Sequence, residues 1–229
     1  MNIALVLAAG SGTRMNNEQP KQFIMVKDKP LFIYSVEAFQ KNKDIDAIVI
    51  ATGAEYIDYV QNKCEQLLMS KVKSVIAGGD TRQESVYNGL KEIEKVINSR
   101  KDLVLIHDSA RPLVSQRIID ENISIAKQYG AADTVIPVSD TIVRSEDKET
   151  LNEILNRSEL YQTQTPQTFE FDVIKNAHEK AIKEKVPNVT DDCKLAMLFG
   201  AKVYFVRGDK FNFKVTTPED LELFKALVK

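Results

Sequence analysis

A glycine-rich loop with two cationic residues follows the first strongly apolar segment. Gly10 and Gly12 stand after the run Ile3 to Ala9, Arg14 follows them, and Lys21 comes seven residues later. Glycines let a backbone approach an anion closely and turn its N–H groups toward it, and the two cations add full charge where triphosphate oxygens would lie. The loop is therefore predicted to bind phosphate groups at the carboxyl end of the first strand, where open α/β sheets bind ligands.

Two familiar phosphate-binding loops do not match this segment. A P-loop requires Lys and then Ser or Thr after its second glycine, whereas Gly12 is followed by a threonine and Arg14. A dinucleotide-binding loop requires a third Gly or Ala where Met15 stands, and an acidic residue closing the second strand, where Thr52 and Gly53 stand. The segment thus disfavours both a P-loop NTPase and a dinucleotide-dependent oxidoreductase.

The fourth predicted strand ends in a carboxylate. Asp108 follows the run Leu103-His107 at the ligand edge of a parallel sheet, and Arg111 comes shortly after it. A hard divalent cation shared with triphosphate oxygens needs only one or two protein carboxylates, so Asp108 is the candidate ligand of Mg²⁺. A helix cap or a salt bridge to Arg111 is the structural alternative. His107 and His178 are the only histidines, which makes a histidine-built zinc site unexpected.

These motifs need a scaffold, and the chain alternates short apolar runs with longer amphipathic segments. This alternation predicts βαβ units whose parallel strands pack between helices. The predicted strands are Ile3-Leu7, Ala47-Ala51, Lys73-Ala77, Leu103-His107, Thr134-Val138 and Lys202-Val206. The predicted helices are Leu31-Phe39, Glu55-Leu68, Arg82-Ile97, Gln116-Tyr129, Asp172-Lys183, Asp191-Phe199 and Pro218-Leu227. Thr81 with Glu84, and Thr217 with Asp220, are typical of capped helix starts. We predict the α/β class, with a single Rossmann-like, mostly parallel sheet in one domain over residues 1–229.

Two polar segments interrupt the alternation. Residues 8–22 form a loop much longer than the roughly 2 to 6 residues usual between a strand and a helix, which is typical of a functional loop. Residues 139–169 hold short β-like pieces at 141–144 and 161–165 and show no helical period, so a protruding β-arm is predicted there. A small arm that cannot bury both faces alone commonly packs on a second subunit, and we expect a homodimer through it.

The composition limits the possible partners. The 229 residues include 31 Lys and Arg against 33 Asp and Glu, a net charge of -2, so no broad basic surface indicates a nucleic acid. No apolar run approaches the roughly 20 residues that a bilayer crossing needs, and no basic leader is apparent after Met1, so we expect a cytoplasmic protein without a membrane span. Cys64 and Cys193 are too few and too far apart to indicate a disulfide framework.

Several motifs together resemble one enzyme family, and they cover nearly the whole chain. They are Leu7-Ala8-Ala9-Gly10-Ser11-Gly12-Thr13-Arg14-Met15, Pro20-Lys21-Gln22-Phe23, Gly78-Gly79 with Arg82 and Ser85-Val86, His107-Asp108-Ser109-Ala110-Arg111-Pro112, Thr163-Gln164-Thr165-Pro166-Gln167, Thr190-Asp191 and Lys214-Val215-Thr216-Thr217-Pro218-Glu219-Asp220. The chain resembles the CTP-dependent cytidylyltransferases of sugar and polyol phosphates, typified by 2-C-methyl-D-erythritol 4-phosphate cytidylyltransferase. The resemblance implies that a substrate phosphate oxygen attacks the α-phosphorus of CTP, with Mg²⁺ as cofactor and pyrophosphate as leaving group.

The resemblance also implies a role for each matching residue. Arg14 and Lys21 would stabilise the transition state, while Arg157 of a neighbouring subunit and Lys214 would position the attacking phosphate. Asp108 would hold the metal. The CTP contacts would come from Leu7, Ala8, Ala9, Gly10, Gly12, Gly79, Asp80, Arg82, Ser85, Asp108 and Ser109. The polyol phosphate would be bound by Arg111, Thr141, Arg157, Thr165 and Lys214. From the residues alone, residues 78–85 are a glycine turn before a capped helix, and Arg157 is a charge in a polar loop. Asp191 and Asp192 are helix N-terminal charges.

Two branches of the family remain open. Gln83-Glu84-Ser85-Val86 looks like the isoprenoid branch, which acts on 2-C-methyl-D-erythritol 4-phosphate, and this substrate is our first expectation. Ser109, Asn156-Arg157 and Cys193-Lys194 look more like the branch that activates D-ribitol 5-phosphate for teichoic acids or capsules. A non-catalytic nucleotide-binding module is a third reading, which the presence of Arg14 and Lys21 disfavours.

Overall fold

The computed structural model describes residues 1–10, 20–187 and 189–228. Its strands are β1 (Asn2–Ala8), β2 (Met25–Val26), β3 (Lys29–Pro30), β4 (Ala47–Thr52), β5 (Val72–Ala77), β6 (Leu103–Asp108), β7 (Ala131–Pro137), β8 (Val143–Arg144), β9 (Glu153–Ile154), β10 (Tyr161–Glu170) and β11 (Tyr204–Arg207). Its helices are α1 (Leu31–Lys41), α2 (Ile57–Gln66), α3 (Arg82–Ile93), α4 (Gln116–Tyr129), α5 (Phe171–Lys183), α6 (Asp192–Leu198) and α7 (Pro218–Leu227).

A seven-stranded sheet in the order β11-β7-β10-β6-β1-β4-β5 forms the centre of the protein. Strands β6, β1, β4 and β5 run parallel, and Ile3 of β1 lies opposite Ala47 on one side and Val104 on the other. Strand β11 is parallel to β7, whereas β10 runs antiparallel to both of its neighbours. This mostly parallel, Rossmann-like sheet confirms the predicted α/β class.

The central strands are buried on both faces, which explains their continuous apolar sequence. Successive side chains of a strand point to opposite faces, so Ala4 and Val6 pack with α1, α2 and α4, while Ile3 and Leu5 pack with α3, α5 and α6. The helices therefore cover both faces, and the carboxyl ends of the parallel strands remain at one open edge. Among the described residues, no helix combines the length and apolarity that a bilayer crossing requires.

Two helices begin with the capping boxes that the sequence predicts. The Thr81 hydroxyl accepts a hydrogen bond from the Glu84 amide and the Glu84 side chain returns to the Thr81 amide, and Thr217 with Asp220 does the same at α7. The helix predicted over Arg82-Ile97 ends at Ile93, and the strand predicted from Lys202 begins at Tyr204.

The predicted β-arm over residues 139–169 is wrong in its second half. The hairpin of β8 and β9 is exposed, but β10 lies inside the central sheet between β6 and β7. Besides Pro166 and Phe169, its buried residues are polar and hydrogen-bond to neighbours: Thr168 Oγ1 donates to Asn122 Oδ1 at 3.0 Å, and Gln167 Nε2 donates to Asp133 Oδ1 at 3.0 Å. A strand buried through hydrogen bonds lacks the apolar pattern by which buried strands are recognised.

Candidate active site

A cavity of about 400 Å³ opens at the carboxyl ends of the parallel strands. Strand β1 and the loop after it, the turn before α3, the end of β6 and the segment before α7 form its walls. The lining residues are Leu7, Ala8, Ala9, Gly10, Lys21, Gln22, Gly79, Asp80, Thr81, Arg82, Ser85, Asp108, Ser109, Ala110, Lys214 and Thr216. The chain thus forms a concave polar site at the sheet edge where doubly wound folds bind their ligands.

Asp108, the last residue of β6, is the charged centre of this cavity. Its Oδ2 lies 2.6 Å from Lys214 Nζ, and its Oδ1 lies 3.5 Å from Arg82 Nε. Burial alone would raise the pKa of this carboxyl, but Lys214 and Arg82 hold the pKa well below its usual range. The carboxylate is therefore ionised at neutral pH. Its ion pairs are with these two cations. The salt bridge to Arg111, which the sequence offered as an alternative, is not formed by the Asp108 carboxylate.

Val215 helps to position two lysines that line the cavity, Lys21 and Lys214. This valine is fully buried, and its amide donates to the carbonyl of Ala110, which fixes the segment that carries Lys214. Lys21 Nζ donates to the Val215 carbonyl at 2.8 Å, across 194 residues of chain. The lysine of the first loop and the lysine before α7 are thereby positioned on the same side of the cavity.

The described part of the glycine-rich loop is held by a side chain to which the sequence motifs assign no role. Gln22 is almost fully buried, and its Nε2 donates to the carbonyls of Ala8 at 2.7 Å and Gly10 at 3.0 Å. These bonds tie the end of β1 to the short helical turn that contains Lys21. The predicted CTP contact Gly12 and the predicted catalytic residue Arg14 lie outside the described residues.

The turn before α3 forms the opposite wall. A side chain at Gly78 would place its Cβ 2.7 Å from Ala9 Cβ, so the turn can approach the end of β1 only with glycine here. Ser85 Oγ accepts a hydrogen bond from the Gly79 amide at 3.0 Å and donates to the Thr81 carbonyl at 2.9 Å. The helix cap and the cavity wall are thus formed by the same residues, and the two readings of this motif are compatible.

The residues predicted to bind the polyol phosphate lie partly outside the cavity. Thr165 is buried, accepts from the Asp108 amide at 3.1 Å and bonds His107 Nδ1 at 3.0 Å. Arg111 donates through Nη1 to the carbonyl of Asn212 at 2.8 Å. Thr141 is exposed beside the arm, and Arg157 donates to the carbonyl of Ser139 at 2.9 Å. Of the predicted phosphate ligands, only Lys214 lines the cavity.

His107 serves the scaffold and does not line the cavity. Its side chain is fully buried between the Arg111 carbonyl, 3.1 Å from Nε2, and the Thr165 hydroxyl. Burial lowers the pKa of its imidazole to about 4, so the ring is neutral at physiological pH. This agrees with its reading as a packed strand residue.

Asp80 and Asp108 are the carboxylates that line this cavity, and Asp108 is the one at its charged centre. Within residues 1–10, 20–187 and 189–228, no group of three or more His, Cys, Asp or Glu side chains could hold a metal ion. Mg²⁺ bound to a triphosphate takes most of its ligands from phosphate oxygens and water, and one or two from protein carboxylates. The ionised carboxylate of Asp108, which lines the cavity, therefore fits a metal delivered with a nucleotide.

Fold and site together define a class of protein. A doubly wound sheet presents the described start of a glycine-rich loop, a turn with a helix N-terminus, three cations and two carboxylates around one cavity, which is the arrangement expected of a nucleotide-binding transferase. The family model described as IspD: 2-C-methyl-D-erythritol 4-phosphate cytidylyltransferase matches residues 2–229, and the chain belongs to this family. It is a CTP-dependent nucleotidyltransferase, as the sequence motifs predict.

Relatives and solved structures agree with this assignment. The chain is 41% identical over 229 residues to 2-C-methyl-D-erythritol 4-phosphate cytidylyltransferase of Clostridium novyi, covering 100% of this chain and 96% of the relative. It is 39% identical to ribitol-5-phosphate cytidylyltransferase of Vibrio parahaemolyticus, with the same coverage of 100% and 96%. The crystal structure of 4-diphosphocytidyl-2C-methyl-D-erythritol synthase from Anaerococcus prevotii superposes with a TM-score of 0.83 at 29% identity, covering 98% of this chain and 94% of that one.

Proposed function

We propose that this protein transfers CMP from CTP to the phosphate of a small polyol phosphate, with 2-C-methyl-D-erythritol 4-phosphate as the first candidate acceptor. The single observation that carries the proposal is the cavity in which Lys214 and Arg82 flank the ionised carboxylate of Asp108 beside the glycine-rich loop. Ten of the described residues expected to contact CTP line this cavity: Leu7, Ala8, Ala9, Gly10, Gly79, Asp80, Arg82, Ser85, Asp108 and Ser109. Residues 1–229 would act as one catalytic domain.

The proposed reaction forms one P–O bond and breaks another. An oxygen of the acceptor phosphate attacks the α-phosphorus of CTP, and the bond from that phosphorus to the bridging oxygen of the β-phosphate breaks, releasing pyrophosphate. Such transfers depend on positioning and on neutralising the phosphate charge. Lys21 would bind triphosphate oxygens from its position beside Val215, with Arg14 assigned the same task, and Lys214 would hold the attacking phosphate.

A divalent cation and a second subunit complete the proposal. Asp108 would hold Mg²⁺, which when bound would neutralise part of the triphosphate charge. The hairpin of β8 and β9 exposes Val143 and Ile154, and burying them on a second copy would form a homodimer. In this dimer Arg157 would reach the partner's acceptor phosphate, and Thr141 would bind the same phosphate. We also propose a cytoplasmic location, with which the two buried free thiols are compatible.

D-ribitol 5-phosphate is the second candidate acceptor. The Vibrio parahaemolyticus relative at 39% identity is named for that substrate, and Ser109, which lines the cavity, is among the residues that resemble the ribitol branch. Cys193, another of these residues, is buried within α6 and does not line the cavity. The two acceptors share the phosphate and several hydroxyls, so the nucleotidyl transfer chemistry is the same for both.

Pyrophosphate release measured with each acceptor tests the proposal. Purified protein is incubated with Mg²⁺, CTP and either 2-C-methyl-D-erythritol 4-phosphate or D-ribitol 5-phosphate, with ATP and UTP in place of CTP as nucleotide controls. We expect release with CTP and a clear preference for the methylerythritol substrate. Release with D-ribitol 5-phosphate alone would replace the first candidate by the second. An absence of release with both acceptors would contradict the proposed transfer itself.

A further inference from the structure

Arg82 is held between two carboxylates, one in the cavity and one behind it. Its Nη1 lies 2.6 Å from Asp192 Oδ2, and its Nε lies 3.5 Å from Asp108 Oδ1. Asp108 lines the cavity, whereas Asp192 is 2% exposed and does not. The guanidinium group therefore connects the nucleotide side of the cavity wall to the interior of the protein.

Asp192 is itself fixed by the fold. It is the first residue of α6, and its amide donates to Gln167 Oε1 of β10 at 3.2 Å. On the other side, Nε2 of the fully buried His178 lies 3.6 Å from Asp192 Oδ1, and the His178 ring stacks on Tyr87 with a centroid distance of 6.1 Å. Two helices thus supply the contacts of the Asp192 carboxylate, and β10 holds its backbone amide.

Arg82 lies closer to the carboxylate of Asp192 than to that of Asp108. A charge-assisted hydrogen bond between a guanidinium and a carboxylate has a length of about 2.7–2.9 Å, and the contact with Asp108, at 3.5 Å, is clearly longer. The contact with Asp192 is a short one of 2.6 Å. Asp192 is therefore the nearer partner of Arg82, and the guanidinium does not form a close pair with Asp108.

The charge state of Arg82 is consistent with a role in binding a nucleotide. Burial by itself would lower the pKa of the Arg82 guanidinium, but the charges of Asp192 and Asp108 raise it above its ordinary value. The group therefore remains charged although it is mostly removed from water. A planar guanidinium fixed at one edge keeps its remaining N–H groups pointing in defined directions, which suits the recognition of a polyanion.

We infer that Asp192 is a positioning residue for CTP, acting through Arg82. It anchors the guanidinium at the cavity wall, so that Arg82 can contact the nucleotide and does not close on Asp108. This inference rests on the proposed function, since it concerns the same CTP site. Asp192 does not line the cavity, and of its partners Arg82, His178 and Gln167 only Arg82 does, so Arg82 is the direct route from Asp192 to the nucleotide.

A double-mutant cycle tests this inference. Dissociation constants for CTP with Mg²⁺ are measured by calorimetry for the wild type, Asp192→Asn, Arg82→Gln and the double variant. We expect Asp192→Asn to weaken CTP binding about tenfold, because the neutral side chain no longer forms an ion pair with the Arg82 guanidinium. In the Arg82→Gln background the same change should alter binding by no more than about twofold. Equal weakening in both backgrounds would show that Asp192 acts on general structure, and would overturn the inference.

Stability is controlled within the same set of proteins. Removing one partner of a buried ion pair destabilises strongly, so a parallel cycle uses Asp192→Glu, which keeps the charge and displaces the carboxylate by one methylene. Asp192→Glu should weaken CTP binding in the wild-type background and leave it unchanged in the Arg82→Gln background. If it weakens binding equally in both, the inference fails even where Asp192→Asn does not fold.

Asp191→Asn is the matched control. Asp191 is the N-cap of the same helix and accepts from the Lys194 amide at 2.9 Å, and asparagine caps helices equally well. We expect it to leave CTP binding within about twofold of the wild type. The wild type distinguishes the two failures: no CTP binding by the wild type contradicts the proposed function, whereas wild-type binding with unchanged Asp192→Asn binding contradicts only the role of Asp192.

Discussion

Asp108 and Asp133 lie on two strands of the same sheet, separated by β10, and they are buried to the same degree, at 9% and 7% exposure. The pKa values of their carboxyl groups are nevertheless shifted in opposite directions. Lys214 and Arg82 overcome the effect of burial on Asp108 and hold its pKa well below the usual range. Burial raises the pKa of Asp133 to about 6, because its partners are neutral hydrogen-bond donors and Asp191 adds a like charge.

This difference separates a site that binds charge from a region that maintains structure. Asp133 accepts hydrogen bonds from Thr163 Oγ1 at 2.9 Å and from Gln167 Nε2 at 3.0 Å, and it does not line the cavity. Asp108 lines the cavity with two cations beside it. Burial alone therefore does not identify a functional carboxylate in this protein, whereas its cationic partners and its access to the cavity do.

The largest effect is expected from Asp108→Asn. Removing this charge eliminates the proposed metal ligand and leaves Lys214 without its ion-pair partner, so we expect kcat/KM to fall by about 10³-fold in pyrophosphate-release assays. Asp58→Asn, on the exposed first turn of α2, is the matched control and should retain wild-type activity. Activity of Asp108→Asn within a factor of a few of the wild type would remove the functional contrast between the two aspartates.

Lys214→Met is expected to have the next largest effect. The side chain that would hold the attacking phosphate is lost, so kcat should fall by about 10²-fold, the usual result of removing one electrostatic donor. The pKa of Asp108 should also rise, because Lys214 is one of the charges that lower it. Lys225→Met, near the end of α7, provides a control on an exposed lysine. An unchanged kcat in Lys214→Met would assign the attacking phosphate to another group.

Asp133 should be visible in the pH dependence of stability. Its pKa is raised from an ordinary 3.8 to about 6, so the folded protein binds more protons between these values, and the contribution of this group to stability is present below pH 4 and lost as the pH rises through 6. The loss corresponds to about 3 kcal/mol of unfolding free energy. Urea unfolding of the wild type and of Asp133→Asn at pH 4.5 and 7.5 should detect about 2 kcal/mol of this loss, because the remainder occurs below pH 4.5. A stability difference between the two proteins that does not change with pH would contradict the raised pKa.

The smallest effects are expected at the two helix caps. Thr81→Ala and Thr217→Ala each remove one capping bond and should each lower the unfolding free energy by about 1 kcal/mol. Only Thr81 lines the cavity, so only Thr81→Ala should weaken CTP binding. Urea denaturation with calorimetric CTP titration separates the two effects. An equal loss of CTP affinity in both variants would mean that the helix caps affect the site through overall stability.

Sequence patterns predicted the elements whose formation depends on residues close together in the chain. The buried strands β1, β4 and β6 are continuous apolar runs, and α4 and α7 have the bounds that their periodicity predicts. The place of β10 could not be predicted in this way, because most of its buried residues are polar and find their partners, such as Asp133 and Asn122, on other elements. The motifs also do not reveal Asp192 as the partner of Arg82, because the two residues lie far apart in the chain and meet only in the folded protein.

The sequence alone determined the alternation of the apolar parallel strands with helices, the capped starts of α3 and α7, and the placement of the glycine-rich loop at a strand end, because each depends on neighbouring residues. The tertiary structure decided which charges meet. Lys214 reaches Asp108 across 106 residues of chain, and Arg82 is shared between Asp108 and Asp192. Ionisation depends on distance and burial, and both exist only once the sheet has brought these segments together.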